Sequence, residues 1–180
     1  AYSDEQITEL EEVNKSYRES LTVGKTEREC VKEIIKQAEA TGYQSLQSFM
    51  EQGRALQKGD KIYAVCMNKS VAMFQIGEQP LEQGMNILGA HIDSPRLDVK
   101  QNPLYEDSDM AYLDTHYYGG IKKYQWVTIP LAIHGTIAKK DGTVQDIIIG
   151  EKEDDPVLVI SDLLIHLSQQ QIEKKAGVVV

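Results

Sequence analysis

From Asp4 to about Leu21, the apolar residues Ile7, Leu10, Val13, Tyr17 and Leu21 recur at steps of three and four. That spacing places them on one face of an amphipathic helix whose other face is strongly acidic. Thr26-Glu27-Arg28-Glu29 follows as a capping box, in which the threonine hydroxyl and the glutamate carboxylate satisfy each other's exposed amides ahead of Val31, Ile34, Ile35 and Ala38. Gly42 is a natural stop for this second helix. At Lys61 the period shortens. Lys61–Cys66 and Val71–Ile76 are β-rich runs joined by a turn around Asn68, the pattern of a hairpin. Met85–His91 is apolar with few charges, which predicts a strand buried on both faces of a helix-covered sheet. Two helices ahead of such a sheet give an α/β layered domain.

Past Pro95 the pattern alternates. Met110–Tyr118 is tyrosine-rich, and Val127–Ala138 is matched to Thr143–Ile149 across Lys139-Lys140-Asp141-Gly142, an Asp-Gly hairpin turn. Ser161 is placed to cap a last helix carrying Leu163, Leu164, Leu167 and Ile172 and ending at Lys174-Lys175. A boundary is therefore expected between Pro95 and Lys100, giving an α/β part over 1–97 and a mainly antiparallel β segment with a helix over 98–180.

Composition narrows the function classes. Hydrophobic residues make up 41% of 180 positions, enough for one good core or two small ones. The formal charge of −9 repels polyanions, which argues against nucleic acid as a partner. No run approaches the roughly 18 apolar residues of a membrane span, and Ala1-Tyr2-Ser3-Asp4-Glu5 has no signal-peptide character, so no membrane partner and a cytoplasmic location are expected. Cys30 and Cys66 form neither a close-spaced zinc pair nor a disulfide framework; both are expected as reduced, buried fillers.

The chemistry centres on Gly89-Ala90-His91-Ile92-Asp93-Ser94-Pro95. If the strand continues through it, His91 and Asp93 leave the same face at the strand's C-terminal end, where α/β sheets place their sites. A metal-bound imidazole usually donates its other N–H to a carboxylate, and Asp93 is in position to accept it. On spacing alone, the better reading is still a surface histidine beside a turn-forming Asp-Ser-Pro.

The wider string Ile87–Pro95 changes that balance, because it strongly resembles the aspartyl aminopeptidase family, whose strand ends in His-x-Asp-Ser-Pro. Tyr118-Gly119-Gly120-Ile121 and Ile160–Leu167 are further landmarks in the family's order, and the resemblance runs from about Tyr17 to about Lys175. It implies a co-catalytic zinc exopeptidase that removes the N-terminal residue of a peptide substrate, with a preference for acidic residues. It assigns His91 as a zinc ligand and Asp93 as the group that orients it. Two zinc ions are implied, and a glutamate general base, its neighbouring glutamate ligand, a bridging aspartate and a further Asp and His have no counterpart in these residues. Glu11-Glu12 and Asp154-Asp155 read instead as a solvated face and a turn. The chain is accordingly expected to be the N-terminal portion of a longer enzyme, inactive alone, with Ala176–Val180 as an interrupted end.

The resemblance further places His166 in an inserted dimerisation domain, reaching into a neighbouring subunit's site in a homodimer or larger homo-oligomer and stabilising a developing oxyanion. Packing beside Leu163 and Leu167 is the competing role. His116 and His134 are expected in structural or surface roles. The aromatics Tyr117, Tyr118, Tyr124 and Trp126 are expected in a subunit interface, with Gly119-Gly120 as a tight bend. Arg96 is placed to meet an acidic group. The alternative function is a non-catalytic dimerisation or assembly module, and a weaker one is a peptide-binding domain without metals.

Overall fold

A computed structural model of the chain describes residues 2–178, so Ala1 and the Val179 and Val180 of the terminal run lie outside it. The chain divides after Asp93 into two compact units.

In the first unit, helix α1 (Asp4–Val23) begins with a reciprocal cap: the Ser3 hydroxyl accepts from the Gln6 amide and the Ser3 amide donates to the Gln6 side chain. Its apolar stripe is present, but no residue of α1 is buried; Ile7, Leu10 and Tyr17 are 46%, 48% and 62% exposed. Helix α2 (Glu27–Ala40) opens with the Thr26–Glu29 box expected from its sequence. It closes through Gly42 at φ +91°, where the Tyr43 amide donates to Ala38 and the Gly42 amide to Glu39. The sign of that φ is what glycine supplies here.

Strand β1 (Gln44–Ser45) lies parallel to β2 (Lys61–Cys66), which pairs antiparallel with β3 (Ser70–Gln75) to give the order β1-β2-β3; α3 (Leu46–Glu51) follows β1 directly. Met67 and Asn68 at φ +53° and +56° form the hairpin turn. Both faces of β2 are covered, since the neighbouring residues Ile62 and Tyr63 point to opposite sides and are only 3% and 9% exposed. Val31, Ala38 and Phe49 complete the small core. The Tyr63 hydroxyl donates to Glu39 at 2.6 Å, tying β2 to the last turn of α2, and the Lys61 ammonium donates to the Thr41 carbonyl at 3.1 Å.

The expected strand over Met85–His91 does not form. Beyond β3 the chain has one 3-10 turn (Leu81–Gln83) and then irregular backbone to Pro95, with Ile87 80% and Leu88 98% exposed. A strand needs neighbours to take its amides and carbonyls, and no described strand pairs with this segment. Cys66 is exposed and Cys30 half-buried, so the expectation of two buried thiols fails for the first and is met in part by the second.

The second unit is built from two antiparallel hairpins. β4 (Arg96–Asp107) pairs with β5 (Met110–Tyr118) across Ser108 and Asp109, both at positive φ. The register shifts between Val99 and Leu104, the stretch that contains Pro103, which has no amide for a ladder bond. β4 was not evident in the sequence because this stretch interrupts its alternation. β6 (Ile133–Ala138) pairs with β7 (Val144–Ile149) about Gly142 at φ +84°, as the Asp-Gly turn implies. The strand expected from Val127 is shorter, with only isolated bridges from Val127 to Ile160 and from Leu131 to Leu158. The helix expected from Ser161 is broken into a 3-10 turn over Ile165–Leu167 and a single turn α4 (Gln169–Ile172). Ser168 separates them and is 5% exposed, with its hydroxyl donating back to the Ile165 carbonyl, a bond that competes with helix continuation.

Surface area explains the burial that fails to appear. The chain exposes 15036 Å², whereas two separate compact units of half its mass would expose about 10,600 Å². Apolar faces that the sequence marks as interior therefore remain open to solvent.

Asp155 shows how an acidic pair serves a turn. Its carboxylate accepts from the amides of Gly150, Glu151 and Lys152 at 2.9, 3.2 and 3.1 Å, and the Lys152 and Gly150 bonds hold it below the usual carboxylate range. A lowered pKa means that stabilisation is complete above the unfolded value of about 3.9 and is lost as pH falls through the native one. The amide proton shifts of these three residues are expected to titrate together with a midpoint below about 3.9, and to show no such titration in Asp155→Asn. At the other end of the scale, the hydrogen bond to Glu39 and burial push the Tyr63 hydroxyl upward. Its contribution is full below about pH 10 and is lost as pH rises through the raised value. Tyr63→Phe is expected to lower unfolding free energy in urea by about 1 kcal/mol and to remove that alkaline loss.

Candidate functional site

His91 and Asp93 lie at the end of the first unit on backbone that no strand pairing fixes. The contact suggested by their spacing is made even so. The His91 Nδ1 stands 3.2 Å from Asp93 Oδ1 and 3.0 Å from the Asp93 carbonyl oxygen. With its proton on Nδ1, the ring donates to Asp93, and the Nε2 lone pair on the ring's far side is left as the atom able to hold a metal. The His91 side chain is 83% exposed and Asp93 38%, so water reaches both.

The donor set tests how far these residues fit zinc. A neutral imidazole with its other nitrogen held by a carboxylate suits the ion chemically. Among the described residues, however, no group of three or more His, Cys, Asp or Glu side chains gathers around a common point. His91 thus offers a single donor nitrogen, and the chain's described residues do not close a coordination shell around it.

The other candidates are placed individually. His166 sits in the 3-10 turn over Ile165–Leu167 of the second unit and is exposed, as are Leu163 and Leu167. The packed helix position weighed for it is therefore absent. His134 is mostly buried and its Nε2 stands 2.9 Å from Glu151 Oε1, a contact across the base of the β6–β7 hairpin. His116 is exposed on β5 opposite Asp98. His134 is thus partnered within its own hairpin, and His116 lies on the surface. Glu11 and Glu12 are exposed on α1.

Just downstream of the motif, Arg96 donates from Nε to Asp98 Oδ1 at 2.7 Å, and its guanidinium lies 4.2 Å from the centre of the Tyr118 ring, its register partner on β5. The acidic partner of Arg96 is therefore two residues along its own strand, on the same face. The aromatic half of this clamp depends on pairing with β5, and no local spacing in the sequence announces it. Gly119 follows Tyr118 at φ +72°, turning the chain where a tight bend was expected.

Comparison with known proteins places these features in a family. The family model for aminopeptidase I zinc metalloproteases (M18) matches residues 21–177. A probable M18 family aminopeptidase 1 from Clostridium acetobutylicum is 55% identical over 179 residues, which is 99% of this chain and 38% of that protein. The crystal structure of aminopeptidase I from the same organism superposes with a TM-score of 0.84 at 54% identity, covering 99% of this chain and 39% of that one. That of aminopeptidase I from Borrelia burgdorferi gives 0.82 at 40% identity over 91% and 40%. The chain spans about two fifths of the length of these relatives. The chain belongs to the M18 family, the aspartyl aminopeptidases that its His91-x-Asp93-Ser94-Pro95 motif resembles.

Proposed function

We propose that the chain is the N-terminal portion of an M18 aminopeptidase, contributing one ligand of a two-zinc centre that hydrolyses the N-terminal residue, preferentially an acidic one, from peptides. The observation that carries the proposal is the Nδ1 contact between His91 and Asp93, in a chain matched by the zinc metalloprotease family model over most of its length. Residues 1–97 then contribute to the catalytic domain and 98–180 begin an inserted dimerisation domain. The protein works as a homodimer or larger homo-oligomer in the cytoplasm.

Within this reading His91 presents Nε2 to zinc while Asp93 accepts the proton-bearing Nδ1, fixing the tautomer and raising the basicity of the ligating nitrogen. Zinc, when bound, supplies the Lewis acidity that lowers the pKa of a water molecule and polarises the scissile carbonyl. A single imidazole holds zinc weakly, so turnover belongs to a protein of the relatives' full length. His166 acts from a neighbouring subunit, donating an N–H toward the oxyanion as it develops.

The test uses the protein at the family's full length. His91→Ala is expected to lower bound zinc by about one ion per chain and abolish release of N-terminal residues. Asp93→Asn keeps the ring but removes the anionic acceptor, and is expected to weaken metal affinity or activity about 10- to 100-fold. Unchanged zinc content and turnover in both variants would remove the pair from the metal centre. For His166→Ala, kcat is expected to fall by about 10²- to 10³-fold, with zinc content unchanged. A mixed oligomer of His166→Ala and His91→Ala subunits is expected to recover part of the activity if the histidine acts across the subunit boundary.

A further inference from the structure

Helix α1 carries a surface that the metal centre does not use. The family model begins at residue 21, near the end of α1, while the Clostridium acetobutylicum relative matches 99% of the chain and so spans the helix. The apolar side chains of α1 fall in a heptad arrangement. Ile7, Asn14 and Leu21 occupy one core position in three successive heptads, and Leu10 and Tyr17 the other in two. At about 1.5 Å per residue the helix is about 30 Å long, and none of it is buried.

The charges on the helix select what covers this stripe. Its first half carries Asp4, Glu5, Glu9, Glu11 and Glu12 and no basic residue, while Lys15 and Arg18 stand in the second half with Glu19. A parallel pair of such helices would set the acidic halves side by side. An antiparallel pair sets each acidic half against the half bearing Lys15 and Arg18. Glu11 and Arg18 lie a heptad apart on one edge of the stripe, so turning one copy around brings Glu11 toward the other's Arg18, twice by symmetry. The same rotation places Leu10 beside Leu21 and Asn14 beside Tyr17, so the polar amide meets a hydroxyl-bearing ring and aliphatic side chains meet each other. The stripe is complementary to itself reversed.

We infer that α1 is a self-association element, pairing antiparallel with α1 of a second copy of this chain. The pairing is independent of the metal centre and goes beyond the proposed activity. Two helices of this length make an interface at or below the low end of specific association, under about 1,200 Å², so the pairing is concentration-dependent and sensitive to salt.

Orientation is read by disulfide trapping in chains that also carry Cys30→Ser and Cys66→Ser. When a Leu10→Cys chain is mixed with a Leu21→Cys chain under mild oxidation, the mixed disulfide is expected to exceed either same-variant disulfide at least tenfold. A Leu88→Cys chain serves as the exposed control. Predominant same-variant disulfides would overturn the antiparallel arrangement. Trapping no better than the Leu88→Cys control would overturn the element altogether, including the case in which another segment covers the stripe. In sedimentation, Arg18→Glu is expected to weaken self-association about tenfold, and Glu11→Arg combined with Arg18→Glu to restore it. Equal weakening by the single and the double variant would also overturn the pairing.

Discussion

The first unit depends on the seating of α2 against β2. Val31 and Ala38 turn the same side of α2 inward, and the next strand residue able to meet that helix, Tyr63, reaches its last turn through a hydrogen bond to Glu39. Two terminal devices make this seating possible. The Thr26–Glu29 box fixes where α2 starts, and the positive φ of Gly42 releases the chain into β1 soon after it ends. β1 then aligns with β2 and β3 follows by a tight turn. Without the α2–β2 contact, a sheet of three short strands would have little to hold it.

Local chemistry carried much of this into the sequence. The capping box, the Gly42 stop, the Met67–Asn68 hairpin and the Asp-Gly turn before β7 are each written in a few adjacent residues whose backbone requirements are specific. What failed were features that depend on distant partners. Met85–His91 has strand composition, but composition cannot supply neighbours for its amides, and Leu88 is left exposed. The stripe of α1 has helical spacing, which predicts a face but not what covers it. The helix expected from Ser161 leaves residues 161–164 irregular and is split at Ser168, whose hydroxyl bonds back to Ile165, a competition that apolar spacing does not register.

The candidate site divides in the same way. The His91–Asp93 contact was legible because two residues of separation in extended backbone suffice to bring an imidazole and a carboxylate together. The strand expected to carry the pair does not form, since backbone pairing depends on partners outside the motif. The clamp of Arg96 on Tyr118 joins positions separated by the whole β4–β5 hairpin and emerges only with the register. Family membership connects these pieces, while the geometry specifies which nitrogen of His91 is engaged and which is left.

Pro103 gives the β4–β5 ribbon a further property. A two-stranded ribbon presents open edges on both sides, and continuous edges invite a foreign strand to add on. Four residues of β4, Lys100 to Pro103, stand opposite little more than Asp114, and Lys100 is held to that aspartate at 3.0 Å. The missing amide of Pro103 and the charge of Lys100 interrupt the hydrogen-bonding row partway along its length. A chain that leaves so much apolar surface in water thereby keeps one of its longest strands a poor template for aggregation.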